Sequence, residues 1–63
     1  MKLYQVLADG IAAGFVVDDD GRIRVAAPIL RSRVVGKTVA AAIYTIRRTW
    51  PYAKIYEVPP NNS

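Results

Sequence analysis

The 63-residue sequence contains no cysteine and no histidine. Without them it has no Cys/His zinc site, no thiol nucleophile, no Ser-His-Asp triad, no haem ligation by either residue and no disulfide. Acidic residues are scarce too, since five Asp and Glu stand against nine Lys and Arg. Only Asp9 and Glu57 lie outside one acidic turn, so paired-carboxylate catalysis has no convergent partners. We therefore expect a protein that is not an enzyme and has no catalytic residue, metal or cofactor.

Long hydrophobic runs are also missing. Gln5, Asp9 and Gly10 interrupt the apolar positions near the N-terminus, and the uncharged stretch from Gly10 to Val17 is far too short to span a bilayer. We expect neither a targeting segment nor a membrane segment. The sequence predicts a cytoplasmic protein.

What is present is half apolar: 52% of the residues are hydrophobic and 22% are charged, a balance typical of a folded domain. A chain of this size buries only about 60% of the surface that its unfolded form exposes. Without disulfides or metal, such a domain relies on compact packing or on self-association, so a homo-oligomer is one alternative. We expect a single domain over residues 1–58 and a flexible tail over residues 59–63.

The first half of the chain predicts three strands. Lys2 to Leu7 is rich in β-forming residues and precedes the turn pair Asp9-Gly10, and Ile11 to Val17 becomes β-branched toward its end. The run Asp18-Asp19-Asp20-Gly21 then favours a hairpin turn. The following stretch, Arg22 to Ala26, alternates strictly, which places Ile23 and Val25 on one face.

The second half predicts one helix and one strand. After Pro28, Ile29 to Val35 is either a short edge strand or a hydrophobic loop. Thr38 is a natural N-cap, and Pro51 disfavours helical geometry at the residue before it. The apolar stripe of the helix contains Val39, Ala42, Ile43, Ile46 and Trp50.

With a final strand over Lys54 to Val58, the predicted fold is α+β in the order β-β-β-α-β. In it, a small antiparallel sheet of three to four strands carries one helix on one face.

Two motifs have simpler explanations than ligand binding. Gly36-Lys37-Thr38 resembles the end of a phosphate loop, but Arg31 occupies the position of the leading glycine. The acidic turn resembles a calcium loop, but Val16 and Ala27 stand at its first and last ligand positions. We interpret the first motif as a flexible loop with a helix cap and the second as a hairpin turn.

A single helix leaves the other face of the sheet uncovered. If Leu3, Ile23, Val25 and Ile55 point toward the helix, the alternate positions point away from it, which predicts a basic and aromatic open face. Tyr52, at the helix exit, is a further contact candidate. The predicted partner-binding residues are Tyr4, Arg22, Arg24, Tyr52, Lys54 and Tyr56.

Basic and aromatic residues on one face also suit nucleic acid, because cations grip phosphates and rings stack on bases. The competing explanation is that Lys and Arg merely keep a small domain soluble. A third alternative is a structural or self-assembling component. The predicted nucleic-acid-binding residues are Lys2, Arg22, Arg24, Arg31, Arg33, Lys37 and Lys54.

The sequence resembles a loose group of small proteins of tailed bacteriophages and prophages, to which no shared activity is assigned. The likeness lies in Met1-Lys2-Leu3-Tyr4, in residues 13–18 with the Asp-Gly-Arg turn, in residues 26–31, in Val35-Gly36-Lys37 and in a closing strand that ends in Glu57-Val58. It extends from Lys2 to Val58. The resemblance implies a phage-encoded protein in the host cytoplasm, and it implies no activity. From the absence of catalytic residues and the one uncovered face, we expect an interaction protein that binds a host or phage protein, with inhibition of a host machine among the roles open to it.

Overall fold

A computed structural model describes residues 1–59 of the chain. The fold is α+β, with one four-stranded antiparallel sheet and two helices. Residues 60–63 of the predicted tail lie outside the described residues. In chain order the elements are β1 Lys2–Ala8, β2 Ile11–Val17, β3 Ile23–Ala26, α1 Pro28–Val34, α2 Val39–Thr49 and β4 Lys54–Val58.

The sheet has the strand order β3-β2-β1-β4. The predicted Asp9-Gly10 turn joins β1 to β2 as a two-residue hairpin loop, with Ala8 paired to Ile11. Asp9 has a φ of 48° and Gly10 a φ of 77°, which are the two positive values that this tight turn requires. Because the turn is this short, it sets the register of the whole β1–β2 pair.

The second hairpin forms at the predicted acidic turn. The Gly21 N–H donates to the Asp18 carbonyl at 2.9 Å, and the Asp20 carboxylate accepts from the Arg22 N–H at 3.0 Å. Between Val16 and Val17 the register to β3 shifts, so that Arg24 has no partner across the strands. The predicted strict alternation of this strand is therefore wrong, since the bulge places Ile23 and Val25 on opposite faces.

The segment after Pro28 was expected to be an edge strand or a loop, and it is neither. It forms α1, with the Leu30 and Arg31 N–H groups donating to the Ala27 carbonyl. Pro28 suits the first helical turn because the N–H it lacks would have no partner there. Leu30 and Val34, one helical turn apart, are both buried. The order is therefore β-β-β-α-α-β, with a second helix that the predicted fold did not contain.

The prediction for α2 is confirmed. Thr38 caps the helix, with its hydroxyl oxygen accepting from the Ala41 N–H at 3.3 Å. The helix ends at Thr49, immediately before Trp50 and Pro51. Of the predicted apolar stripe, Ala42 and Ile46 are buried and the other members are half-buried.

The core lies between the helices and one face of the sheet. Phe15 is its largest side chain, and the ring of Tyr4 stacks on it with centroids 5.2 Å apart and planes 3° from parallel. Among the described residues, every buried side chain is hydrophobic. The core residues are Val6, Ala13, Phe15, Val17, Ile23, Ala26, Leu30, Val34, Ala42, Ile46 and Ala53.

Candidate interaction surfaces

The face of the sheet that points away from the core has no layer packed on it among the described residues. Register and burial define its members, because residues paired across antiparallel strands point to the same side. The core side of β2 carries Ala13, Phe15 and Val17, so the residues between them and their cross-strand partners point outward. We call this surface the uncovered face: Leu3, Gln5, Leu7, Ala12, Gly14, Val16, Val25, Lys54, Tyr56 and Val58.

An aliphatic row crosses the uncovered face from edge to edge. Val25 pairs with Val16, Val16 with Leu3, and Leu3 with Val58, so each of the four strands contributes one aliphatic side chain. Val25 is 55% exposed and Leu3 45%. A contiguous apolar patch of this kind on a small protein typically marks an interaction site.

The next row is polar only at its centre. Gln5 pairs with Gly14 on one side and with Tyr56 on the other. Gly14 has no side chain, so the side chains of Gln5 and Leu3 on β1 extend over β2 at this position. A Cβ added at Gly14 would lie 3.5 Å from the Gln5 amide oxygen and 3.6 Å from Leu3 Cδ1. The last row contains Ala12, Leu7 and Lys54, so Lys54 is the one charge on the uncovered face.

The predicted orientation of β1 is wrong. Leu3 was expected to point toward the helix, but it lies on the uncovered face, while Tyr4 points into the core and packs on Phe15. Val25 was likewise expected on the covered side and is exposed. The uncovered face is therefore aliphatic, and not basic and aromatic as the sequence predicted.

The remaining residues predicted to bind a partner are dispersed. Lys54 and Tyr56 do lie on the uncovered face, Tyr56 being 46% exposed. Arg22 donates from Nη1 to the Gly36 carbonyl at 3.0 Å, at the outer edge of β3. Arg24 lies in the bulge, with Nη1 3.8 Å from Asp18 Oδ1. Tyr52 is 95% exposed in the turn that follows α2.

The sequence contained a signal that would have found the uncovered face. The two-residue turn fixes Ala8 opposite Ile11, and this register places Tyr4 opposite Phe15 and Leu3 opposite Val16. Phe15 is the only phenylalanine in the chain and so a natural core residue. Counting from it outward assigns Leu3 and Val16 to the opposite face.

The helices form a second, chemically different surface. Residues 28–49 carry five cations and no Asp or Glu, and the acid-free stretch extends from residue 21 to residue 56. Three of the five acids of the chain are instead adjacent, at the β2–β3 turn. These five cations are Arg31, Arg33, Lys37, Arg47 and Arg48. The nucleic-acid prediction included the first three and did not include Arg47 and Arg48.

One stripe of α2 faces away from the core. Its residues recur at the i, i+3, i+4, i+7 and i+8 spacing of one helical face and surround a shallow depression of about 380 Å³. Tyr44 is 68% exposed, and the Arg48 guanidinium lies 5.9 Å from the centroid of its ring. We call this surface the outer stripe of α2: Ala40, Ile43, Tyr44, Arg47 and Arg48.

Arg33 belongs to α1 and contacts the C-terminal end of α2. Its Nη1 donates to the Thr49 hydroxyl at 2.8 Å, and its guanidinium lies 5.8 Å from the centroid of the Trp50 ring. Of the predicted nucleic-acid set, Lys2 pairs with Val17 at the end of the sheet and Lys54 belongs to the uncovered face. The predicted set therefore does not form one surface.

In the part of the chain that the structure describes, no group of three or more acidic side chains is arranged to hold a metal ion. None of the helices described is long and apolar enough to cross a membrane. No family model, curated protein or solved structure matches this chain.

Proposed function

We propose that this protein is a non-enzymatic interaction module that binds another protein through its uncovered face. The aliphatic row Val25-Val16-Leu3-Val58 is the observation that carries the proposal. Covering this row removes apolar area from water, which contributes about 25 cal/mol per Å².

The chemistry of the face defines the partner. It is a protein with a flat aliphatic surface and a carboxylate at its rim, placed to meet Lys54 beside Leu7. A second copy of this chain fits less well, since its uncovered face has no acid to meet Lys54 and each copy carries a net charge of +4. The resemblance to phage proteins makes a host or phage protein of the bacterial cytoplasm the partner to look for.

Strand addition at an edge is less favoured than binding to the face. The outer edge of β3 is occupied at Ile23, whose N–H donates to the Lys37 carbonyl at 2.9 Å and whose carbonyl accepts from the Gly36 N–H at 2.8 Å. Arg22 and Thr38 extend this bridge by one residue pair. The start of the outer edge of β3 is therefore closed to an added strand, whereas β4 has no pairing segment on its outer edge among the described residues.

The test is a binding comparison between two matched double variants. The face variant Leu3→Gln/Val25→Thr removes two exposed aliphatic groups from the uncovered face, and the control Ile29→Gln/Val35→Thr removes two similarly exposed aliphatic groups from the helical side. Tagged proteins capture partners from nuclease-treated bacterial lysate, and a photo-crosslinking residue in place of Tyr56 identifies what touches the face. We expect the face variant to lose capture by tenfold or more and the control to retain it.

Equal capture by both variants would refute the assigned surface. Circular dichroism must show the same fold for all proteins, so that a loss of binding reports the face and not unfolding. If the crosslink instead joins two copies of the chain, and sedimentation shows a dimer that the face variant abolishes, the protein is a self-assembling component and the heterologous partner is wrong.

A further inference from the structure

The outer stripe of α2 is separated from the uncovered face, because the helices pack on the opposite side of the sheet. The protein-binding proposal makes no use of it. We infer that the outer stripe of α2 is a binding site for single-stranded nucleic acid, with Arg47 and Arg48 on the phosphates and Tyr44 stacked on a base.

The outer stripe of α2 is cationic. Arg47 and Arg48 project from a helix that has no acidic residue, on a stretch of chain that has none for 36 consecutive residues, 21 to 56. Neither arginine has a salt bridge among the described residues. Their guanidinium groups are therefore available to phosphate oxygens, for which the planar fork of Arg is well suited.

The outer stripe of α2 also carries an aromatic residue. The Tyr44 ring is largely exposed and sits one helical turn from both arginines, at the spacing at which side chains on a helix are neighbours. An exposed ring beside cations is the arrangement with which single-strand-binding proteins stack a base and hold its backbone. The Arg48 guanidinium lies 5.9 Å from the centroid of the ring, so a base on Tyr44 and the backbone of the same strand would be bound side by side.

The depression distinguishes a single strand from other anionic partners. Besides Tyr44 and the two arginines, the depression is lined by the apolar side chains of Ala40 and Ile43, which suit the flat face of an unpaired base. The bases of a duplex are stacked on one another, so their flat faces are closed to the Tyr44 ring and only their edges and the phosphates are accessible. An acidic protein would also engage the arginines, and competition with polyglutamate distinguishes it from a single strand.

The test is fluorescence anisotropy with a labelled oligothymidine of about 12 nucleotides, a length within the usual site sizes of such proteins. Affinity is measured from about 50 to 200 mM salt, beside a duplex of the same length. We expect Arg47→Gln/Arg48→Gln to lower affinity at least tenfold and to reduce the salt slope by about 1.4, since each phosphate contact on a single strand contributes about 0.7. Tyr44→Ala should lower affinity about tenfold with an unchanged slope, and Tyr44→Phe should restore it.

The control variant Lys2→Gln/Arg24→Gln removes the same charge from the sheet, outside both proposed binding surfaces, and should retain affinity for the single strand. If it loses as much as the double arginine variant, the attraction is due to net charge and the site is refuted. Duplex binding as tight as single-strand binding, with Tyr44→Ala silent, would also overturn the proposal. So would displacement of the oligonucleotide by polyglutamate at equal charge, or no binding at the lowest salt.

Discussion

The two broad surfaces of this protein differ in almost every property. The uncovered face has ten residues and one charge, at Lys54, and is crossed by a continuous aliphatic row. The helical side carries five cations and no acid. The two lie on opposite sides of one sheet, and only a layer of side chains around Phe15 separates the sheet from the helices.

The two surfaces therefore differ in the interactions that would drive binding. The proposed binding at the uncovered face would be driven by apolar burial, which depends weakly on salt. The proposed binding at the outer stripe of α2 would be driven by attraction of phosphates and counterion release, and it would fall steeply with salt. If both proposals hold, ionic strength alone would separate the two kinds of partner, with the partner of the uncovered face retained at high salt.

The largest expected effect compares the two faces of the sheet through one kind of substitution. Leu30 lies in the core and Leu3 on the uncovered face. Leu30→Ala should lower the free energy of unfolding by about 3 kcal/mol, because it leaves a cavity. Leu3→Ala should lower it by less than about 1 kcal/mol, because water already reaches the side chain. Urea denaturation followed by circular dichroism measures both.

If Leu30→Ala and Leu3→Ala lowered the free energy of unfolding equally, the distinction between the two faces would be wrong. Equal losses would show that Leu3 is covered in solution, and a dependence of the Leu3→Ala loss on protein concentration would identify a second copy as the cover.

A smaller effect tests how much the N-cap of α2 contributes to the free energy of unfolding. The Thr38 hydroxyl oxygen accepts from the Ala41 N–H at the start of α2, whereas the Thr45 hydroxyl donates to the Ala41 carbonyl at 3.0 Å inside the helix. Thr38→Ala should cost about 1 kcal/mol by removing the cap. Thr45→Ala should be neutral or slightly stabilising, because alanine is the better helix former. Thermal unfolding that ranks the two in the opposite order would contradict the capping assignment.

The smallest effect concerns the ion pair at the rim of the sheet. Arg24 and Asp18 approach within 3.8 Å, but the arginine side chain is largely exposed. Arg24→Gln should change the free energy of unfolding by less than about 0.5 kcal/mol, since exposed pairs of this kind contribute little. A loss above 1 kcal/mol in urea denaturation would mean that the bulge, and with it the outward direction of Val25, depends on this pair.

Several elements of the fold could be predicted because they depend on neighbours in the chain. The Asp9-Gly10 turn needs positive φ at both residues, and the local sequence alone favours it. The same holds for the Thr38 cap and for the end of α2 before Pro51. α1 was missed because its seven residues are too few to show helical periodicity, and Leu30 and Val34 become a recognisable pair only when both are buried.

The candidate surfaces were harder to predict. Lys54 and Tyr56 were correctly assigned to the uncovered face. Val25 was not, because the bulge at Arg24 reverses the alternation of side chains along β3 and directs Val25 outward. The outer stripe of α2 was not predicted as a site. Tyr44, Arg47 and Arg48 resemble an ordinary solvated helix face unless the absence of acidic residues around them is also considered.

By itself, the sequence determined the composition of each surface, including the absence of acids from residues 21–56. It also determined local features of the backbone, namely the turns, the helix cap and the end of α2. Only the tertiary structure decided which side of the sheet is covered. The physical reason is that alternation in a strand specifies two faces but not which one is buried, and that choice depends on where the helices pack. Here α1 and α2 cover Phe15 and Tyr4 and leave the row from Val25 to Val58 in water.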